Sequence, residues 1–337
     1  MAARFYLLAA IGMVAAGSAA AETFTLSPDS DNVVGALNVA TVPANARVVD
    51  VAMTYDQGFQ EVKIANPGID MIVRNLNDTF AEVVLPSQYI LPDAPREGIV
   101  LNVPEMRLYY YPKPAAGEAP IVITHPVGIG RADWTTPHGV TKVVAKIRDP
   151  VWVPPESIRQ EHLRDWGEAL PRVVAAGPDN PMGAFSLKLG FSSYFIHGTD
   201  VRKVEGIGMR VTHGCVRMYP KDIESLFNLV PVGTSVRIVN QPMKAGRLDG
   251  VLYLEAHPHL EEDPLAAEDQ YNNVVSLLIS VVGDARSEID WNQVRAAVSL
   301  RTGIPVVIGQ WFSDQPAEDA AATDVSDAQQ RALEEVW

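Results

Sequence analysis

Apolar positions along the chain follow a helical period in one stretch and alternate in the next. Val48, Val49, Val51, Ala52 and Tyr55 fall at near-helical spacing, and Phe59, Val62 and Ile64 continue it after Gly58. Asn66-Pro67-Gly68 is a turn that ends the second run, and Val83-Val84-Leu85-Pro86 reads as a short strand. Residues 38–92 are therefore expected to form a small module in the order strand, helix, helix, strand. The preceding residues, 22–37, are polar and turn-rich.

From Gly98 the pattern becomes that of short strands. GIVLNVPEMRLYYYP reads as two strands joined by a Pro-Glu turn, and IVITHPVGIG as a strand ending in a glycine turn. VTKVVAKIRDP, VWVPP, FSLKLG, SYFIHG and TSVRIVN add further strands, and PESIRQEHLRDWG is a helix opened by Pro-Glu. Residues 97–240 thus predict a mostly β sandwich or barrel with few helices. Residues 241–312 predict a mixed α/β extension, with a strand at GVLYLEAH and helices around Asp269–Val282 and Asp290–Leu300. Beyond these the chain, residues 313–337, is acidic and alanine-rich and reads as a solvated, disordered tail.

The N-terminus changes the picture of where the protein works. Arg4 precedes a short apolar stretch from Phe5 to Ala16, and Ala19-Ala20-Ala21 supplies small residues before Glu22. Residues 1–21 have the form of a secretory signal peptide, too short in its apolar part for an ordinary membrane span. No later run is long enough to span, so the mature chain is expected to be exported and soluble. With 41 acidic and 27 basic side chains the formal charge is −14, which excludes nucleic acid and anionic membrane surfaces as natural partners.

Exported proteins usually carry cysteines in pairs, yet Cys215 is the single cysteine. It is either a buried, inert hydrophobe or a residue kept for its reactivity. Its surroundings favour reactivity. Ile196-His197-Gly198-Thr199 and Val211-Thr212-His213-Gly214-Cys215-Val216-Arg217 place two histidines, each followed by glycine, close before the thiol. The thiolate is the attacking species, and a histidine that takes the thiol proton leaves a thiolate–imidazolium pair. His213 is a neighbour of Cys215 in an extended segment, whereas His197 ends a predicted strand and can approach from an adjacent one. Gly214 permits close approach of substrate, and the amides of Gly214 and Cys215 are candidates for an oxyanion hole. His257-Pro258-His259 followed by Glu261, Glu262 and Asp263 lacks any recognised zinc spacing and reads as a solvated loop. Neither a metal nor another cofactor is expected.

The pattern His, fourteen residues, then Thr-His-Gly-Cys resembles the YkuD-type L,D-transpeptidases, and the resemblance covers residues 97–240. Arg217 is similar to the exported proteobacterial branch, the ErfK/YbiS/YcfS/YnhG group. In residues 38–92, AMTYDQGFQEVKIANPG resembles a LysM carbohydrate-binding module, although the opening PANARVVDVA departs from that pattern; a degenerate spacer is the alternative. The resemblance implies a YkuD-type β-sandwich and a peptidoglycan L,D-transpeptidase. Cys215 would attack the bond between an L-centre diamino acid and D-Ala in a tetrapeptide stem, form a thioester and pass the acyl group to an amine. His197 would be the base and His213 would support the thiolate. Arg217, Gly198, Thr199, Thr212 and Tyr194 would contact substrate, with backbone capping as the alternative for Arg217 and core packing for Tyr194. Partners would be stem peptides, glycan strands and an outer-membrane lipoprotein as acceptor, in a Gram-negative periplasm. Water as acceptor, making a hydrolase, and a non-catalytic glycan-binding protein are the competing readings.

Overall fold

The computed structural model describes residues 12–13, 22–27, 31–69, 71–72, 79–263 and 270–316. The expected signal peptide, apart from Gly12 and Met13, lies outside them. In chain order the first elements are β1 (Gly12–Met13), β2 (Glu22–Thr25), β3 (Val33–Gly35), β4 (Asn38–Pro43), α1 (Val48–Thr54), α2 (Phe59–Ala65), β5 (Phe80–Leu85) and β6 (Gln88–Ile90). The central region holds β7 (Gly98–Asn102), β8 (Arg107–Tyr111), β9 (Ile121–Pro126), β10 (Ile129–Gly130), β11 (Gly139–Arg148), α3 (Glu156–Trp166), β12 (Phe185–Leu189), β13 (Phe195–His197), β14 (Arg210–Thr212), β15 (Val216–Arg217), α4 (Pro220–Leu229) and β16 (Ser235–Val239). The last part comprises β17 (Met243–Leu248), β18 (Val251–Ala256), α5 (Gln270–Val282), β19 (Ala285–Ile289), α6 (Trp291–Leu300) and β20 (Val306–Pro316).

The fold is mainly β. One curled sheet runs β15-β13-β12-β11-β16-β7-β8-β9-β2. β11 makes the corner: Gly139–Lys142 pair with β16, and from Val143 onward the strand pairs with β12 across a register shift, as expected where a strand passes between two layers of a sandwich. The central strands are apolar on both faces. Ile99, Leu101, Leu108, Tyr110 and Ile123 point into one core with α4, through Ile223, Leu226 and Phe227. The alternate residues Val100, Tyr109, Tyr111 and Val122 point into a second core with Tyr89 and Leu91. That two-residue period is the ordinary consequence of the pleat.

The βααβ order expected for residues 38–92 is present, with β4 and β5 paired antiparallel. Its core is shared with the central region, because Val204, Ile207 and Tyr219 pack among the α1 and α2 side chains. Phe59 donates its amide to the Ile207 carbonyl at 3.0 Å.

Four readings of the pattern are corrected. Residues 22–37 are more than turns: β2 completes the large sheet beside β9. VWVPP is no strand; only Trp152 bridges to Val174, and Val151 and Val153 are exposed, because prolines on both sides remove ladder donors. His257 is buried against Glu255 at 2.6 Å instead of lying in a solvated loop. β20 extends to Pro316, paired with Ala285, so it takes up the first residues assigned to the tail. Residues 317–337 lie outside the described residues.

Lys244 docks the C-terminal extension. Its buried ammonium donates to the Ile90 carbonyl (2.6 Å) and pairs with Glu105 (2.8 Å) and Glu255 (2.7 Å), joining β6, the β7–β8 turn and β18. Removing the cation leaves two buried carboxylates without their partner, which typically costs about 3–5 kcal/mol. Lys244→Met is therefore expected to shift the urea midpoint strongly downward. An unchanged midpoint would show that this cluster is not what holds the extension.

Candidate active site

β13 and β15 lie side by side and parallel, with Ile196 opposite Val216 and His197 opposite Arg217. Cys215, one residue before β15, therefore falls opposite Phe195. Because strand side chains alternate, His197 and Arg217 share one face, and Cys215 leads into the same strand with its Sγ 3.8 Å from the Ser193 carbonyl. With strands about 4.8 Å apart and a rise of about 3.3 Å per residue, the Cα atoms of His197 and Cys215 are diagonal neighbours roughly 8 Å apart, a span their side chains can close.

The Cys215 loop is built to a fixed shape. Thr212 Oγ1 donates to the Cys215 carbonyl at 2.6 Å and accepts the Gly214 amide at 3.2 Å. Thr136 Oγ1 donates to the Gly214 carbonyl at 2.9 Å and accepts the Gly130 amide at 3.0 Å. Gly214 has φ +96°, and a Cβ there would meet Tyr194 Cε1 at 2.8 Å and the Thr135 carbonyl at 3.0 Å. Glycine is needed both for that backbone conformation and for space. Thr212 is buried and its hydroxyl is taken up within the loop, so it shapes the loop where a substrate contact was expected. The Gly214 amide is likewise engaged. Tyr194 packs against the main core and beside Gly214.

His197 is buried, and its Nδ1 lies 2.6 Å from the Gly198 carbonyl. A carbonyl only accepts, so Nδ1 carries the proton and Nε2 is left as the basic nitrogen. Burial, with the Arg217 guanidinium next in importance, pulls the His197 pKa down to about 3 against the Gly198 and Met182 carbonyls. Burial pushes the Cys215 thiol above its ordinary value, opposed by the Phe195 backbone and Arg217. Both shifts favour neutral forms. Both directions oppose the thiolate–imidazolium pair expected from sequence and favour a neutral thiol beside a neutral imidazole in the free site.

Arg217 is half-buried, its Nε lacks a hydrogen-bond partner among the described residues, and burial draws its pKa down. Its main chain is fixed by reciprocal bonds with Gly128, at 2.8 and 2.9 Å. The Thr199 hydroxyl is buried without a hydrogen-bond partner among the described residues, and the Gly198 amide donates to the Phe185 carbonyl at 3.1 Å. His213 turns elsewhere. Its Nε2 lies 2.9 Å from Glu161 of α3, and its ring meets Trp134 edge-on at 5.1 Å. Arg131 also pairs with Glu161. Sequence reasoning missed Arg131, Trp134 and Glu161. The first two sit beside the glycine turns after β9, as does Thr136 in Thr136-Pro137-His138-Gly139, but Glu161 carries no local signal, since only the tertiary fold brings α3 to the loop.

Residues 96–238 match the YkuD family model, the L,D-transpeptidase catalytic domain. The chain is 39% identical over 305 residues to the probable L,D-transpeptidase ErfK/SrfK of Escherichia coli, covering 88% of this chain and 94% of that protein. It is 40% identical to the probable L,D-transpeptidase YbiS of the same organism, covering 86% and 92%, and 36% identical to its probable L,D-transpeptidase YcfS, covering 86% and 88%. A solved L,D-transpeptidase from Mycobacterium smegmatis aligns with 66% of this chain and all of its own at 16% identity and a TM-score of 0.33.

Proposed function

Because the chain belongs to the YkuD family of L,D-transpeptidases, cysteine acyltransferases, we propose that it transfers a stem-peptide acyl group through Cys215, with His197 as general base. One observation supports this reading: the single thiol of the chain stands one residue before the strand that pairs in parallel with that of a buried histidine whose Nδ1 is already committed.

Cys215 Sγ attacks the carbonyl carbon of the bond joining the L-centre diamino acid to D-Ala while Nε2 of His197 takes the thiol proton. The negative charge that develops on the carbonyl oxygen is met by the Cys215 amide, joined by that of Gly214 if it leaves the Thr212 hydroxyl. Collapse breaks the amide bond, and the proton on His197 passes to the departing D-Ala amine. An amine then attacks the thioester, giving up its proton to His197 as Sγ leaves. The unpartnered Nε of Arg217 supports a contact with a stem-peptide carboxylate. Gly198, Thr199 and Tyr194 flank the same face and are proposed to contact the peptide. His213, held by Glu161 and Trp134, supports the loop. We place the enzyme in a Gram-negative periplasm after removal of residues 1–21, with the βααβ module lying against glycan strands in the manner of LysM. Among the described residues no helix is long and apolar enough to cross a membrane.

Incubation with a disaccharide-tetrapeptide followed by intact-mass analysis tests this. The expected result is an adduct on Cys215 with loss of one alanine. The resolved product names the acceptor: a second stem peptide, a lipoprotein lysine or water. An adduct elsewhere, or release without an acyl-enzyme, would refute the cysteine route.

A further inference from the structure

Three buried side chains outside the acyl-transfer site meet where the βααβ module, the large sheet and α4 join. Asp56 lies in the turn between α1 and α2, His125 in β9, and Asp222 in the first turn of α4. None is more than 2% exposed. His125 Nδ1 lies 3.3 Å from Asp56 Oδ2 and 3.8 Å from Asp222 Oδ1, and one donor atom from each residue falls within 4.8 Å of the others. Despite this closeness, neither oxygen of Asp56, neither ring nitrogen of His125 nor Oδ2 of Asp222 has a hydrogen-bond partner among the described residues.

Such a set is costly unless something positive compensates it, since buried carboxylates and unpaired ring nitrogens each lose their hydration. Burial disfavours the charge on Asp56, while His125 and Asp222 beside it and, more weakly, the buried guanidinium of Arg107 from a distance favour it. The hydrogen bonds of Arg107 go elsewhere: Nε and Nη2 to Glu61 at 3.2 and 2.6 Å, and Nη1 to Thr124 at 3.3 Å. The second buried group of two carboxylates and one histidine, Glu105, Glu255 and His257, is instructive by contrast. There the Lys244 ammonium sits within 2.8 Å of both carboxylates. At Asp56, His125 and Asp222 no side-chain cation among the described residues bonds to the orphaned atoms.

The spacing is close to that of a metal site. Zinc bound by nitrogen and oxygen at about 2.0–2.2 Å in a tetrahedron holds its donor atoms about 3.3–3.6 Å apart; of the two distances from His125 here, 3.3 Å falls in that range and 3.8 Å just above it. We infer that Asp56, His125 and Asp222 form a divalent-cation site, taking zinc, that ties the N-terminal module to the catalytic sheet and to the start of α4. Two carboxylates neutralise the ion, and the imidazole binds as the neutral ligand that zinc prefers. The adjoining bond from the Tyr219 hydroxyl to the Gln57 carbonyl, 3.1 Å, closes the same junction. α4 follows directly on the Cys215 loop and β15, so the ion anchors the segment that carries the nucleophile. It takes no part in the chemistry.

Full-length protein purified from cells, analysed by inductively coupled plasma mass spectrometry, is expected to hold about one zinc per chain, as structural zinc is retained through its coupling to folding. Zinc-edge X-ray absorption should show one imidazole with oxygen donors and no sulfur. Removing the metal with a strong chelator should lower the Tm by several degrees, and refolding with zinc chloride should restore it. His125→Gln and Asp222→Asn should each lose the bound zinc, whereas His257→Gln at the second cluster should keep it. The inference is overturned if wild-type protein carries no divalent metal and gains neither zinc nor Tm on refolding with it. Sulfur coordination, or zinc retained in both variants, overturns it equally. Should both variants misfold, metal content, absorption spectrum and chelation of the wild-type chain still decide.

Discussion

Cys215→Ala is expected to reduce acyl transfer to background while leaving the protein folded. The chain has no second thiol to substitute, so the covalent route has no alternative nucleophile. Cys215 is only half-buried at the mouth of its loop, and the loop is held by Thr212 and Thr136 through main-chain atoms that the substitution leaves in place. The stability cost therefore belongs with small, uncritical changes, within about 1 kcal/mol. The measurement is tetrapeptide turnover, with circular dichroism as the folding control. A folded variant that still yields tripeptide-linked products would falsify the assignment of the nucleophile.

His197→Gln should slow acylation by about 10²–10⁴-fold, the usual worth of a positioned proton acceptor, with a much smaller effect on substrate affinity. The pH dependence separates a base from a merely structural residue. An unperturbed histidine would give an inflection near pH 6.5. His197, drawn down to about 3, stays neutral through that range, so the acid limb of the wild-type rate profile should show no inflection there that the variant removes. The thiol tells the same story from the other side. Since burial raises it, Cys215 is less ionised at neutral pH than an ordinary thiol. Alkylation by iodoacetamide should climb steadily through pH 7–10. A plateau below pH 7 that disappears in His197→Gln would mean a resting ion pair and would overturn the neutral description. Stability follows the linkage: below pH 6.5 the unfolded chain takes up a proton on this histidine that the folded chain refuses until about pH 3, so the contribution of His197 to stability falls as the solution is acidified across that window.

Much of this was legible along the chain because it depends on local periodicity and composition. The short apolar runs GIVLN and RLYYY on either side of a Pro-Glu turn marked β7 and β8, and the spacing of Val48, Val49, Val51 and Ala52 marked α1. Pro-Glu and a closing glycine bounded α3. The His197 and Cys215 motifs stood out for a different reason: they are eighteen residues apart, each His-Gly lies near the only thiol, and His-Gly-Cys is a rare combination.

What the sequence could not express is what depends on residues far apart meeting in a dry interior. His213 reads as a second helper beside Cys215, and its ring is held by Glu161 and Trp134, contacts no local pattern announced. Thr212 reads as a substrate contact, yet the loop uses its hydroxyl. The resting charges of His197 and Cys215 depend on burial and on Arg217 across the strand pair, and both move opposite to what proximity alone suggests. Lys244 with Glu105 and Glu255, and Asp56 with His125 and Asp222, are scattered single letters in the chain that become ionic clusters only when three segments close around them. Hydrophobic periodicity and the reactive motif were thus determined by the sequence itself, because each is set by residues a few positions apart. The protonation states, the loop's internal bonds and the junctions between segments were decided by the tertiary structure, because desolvation and charge pairing act through space, irrespective of position in the chain.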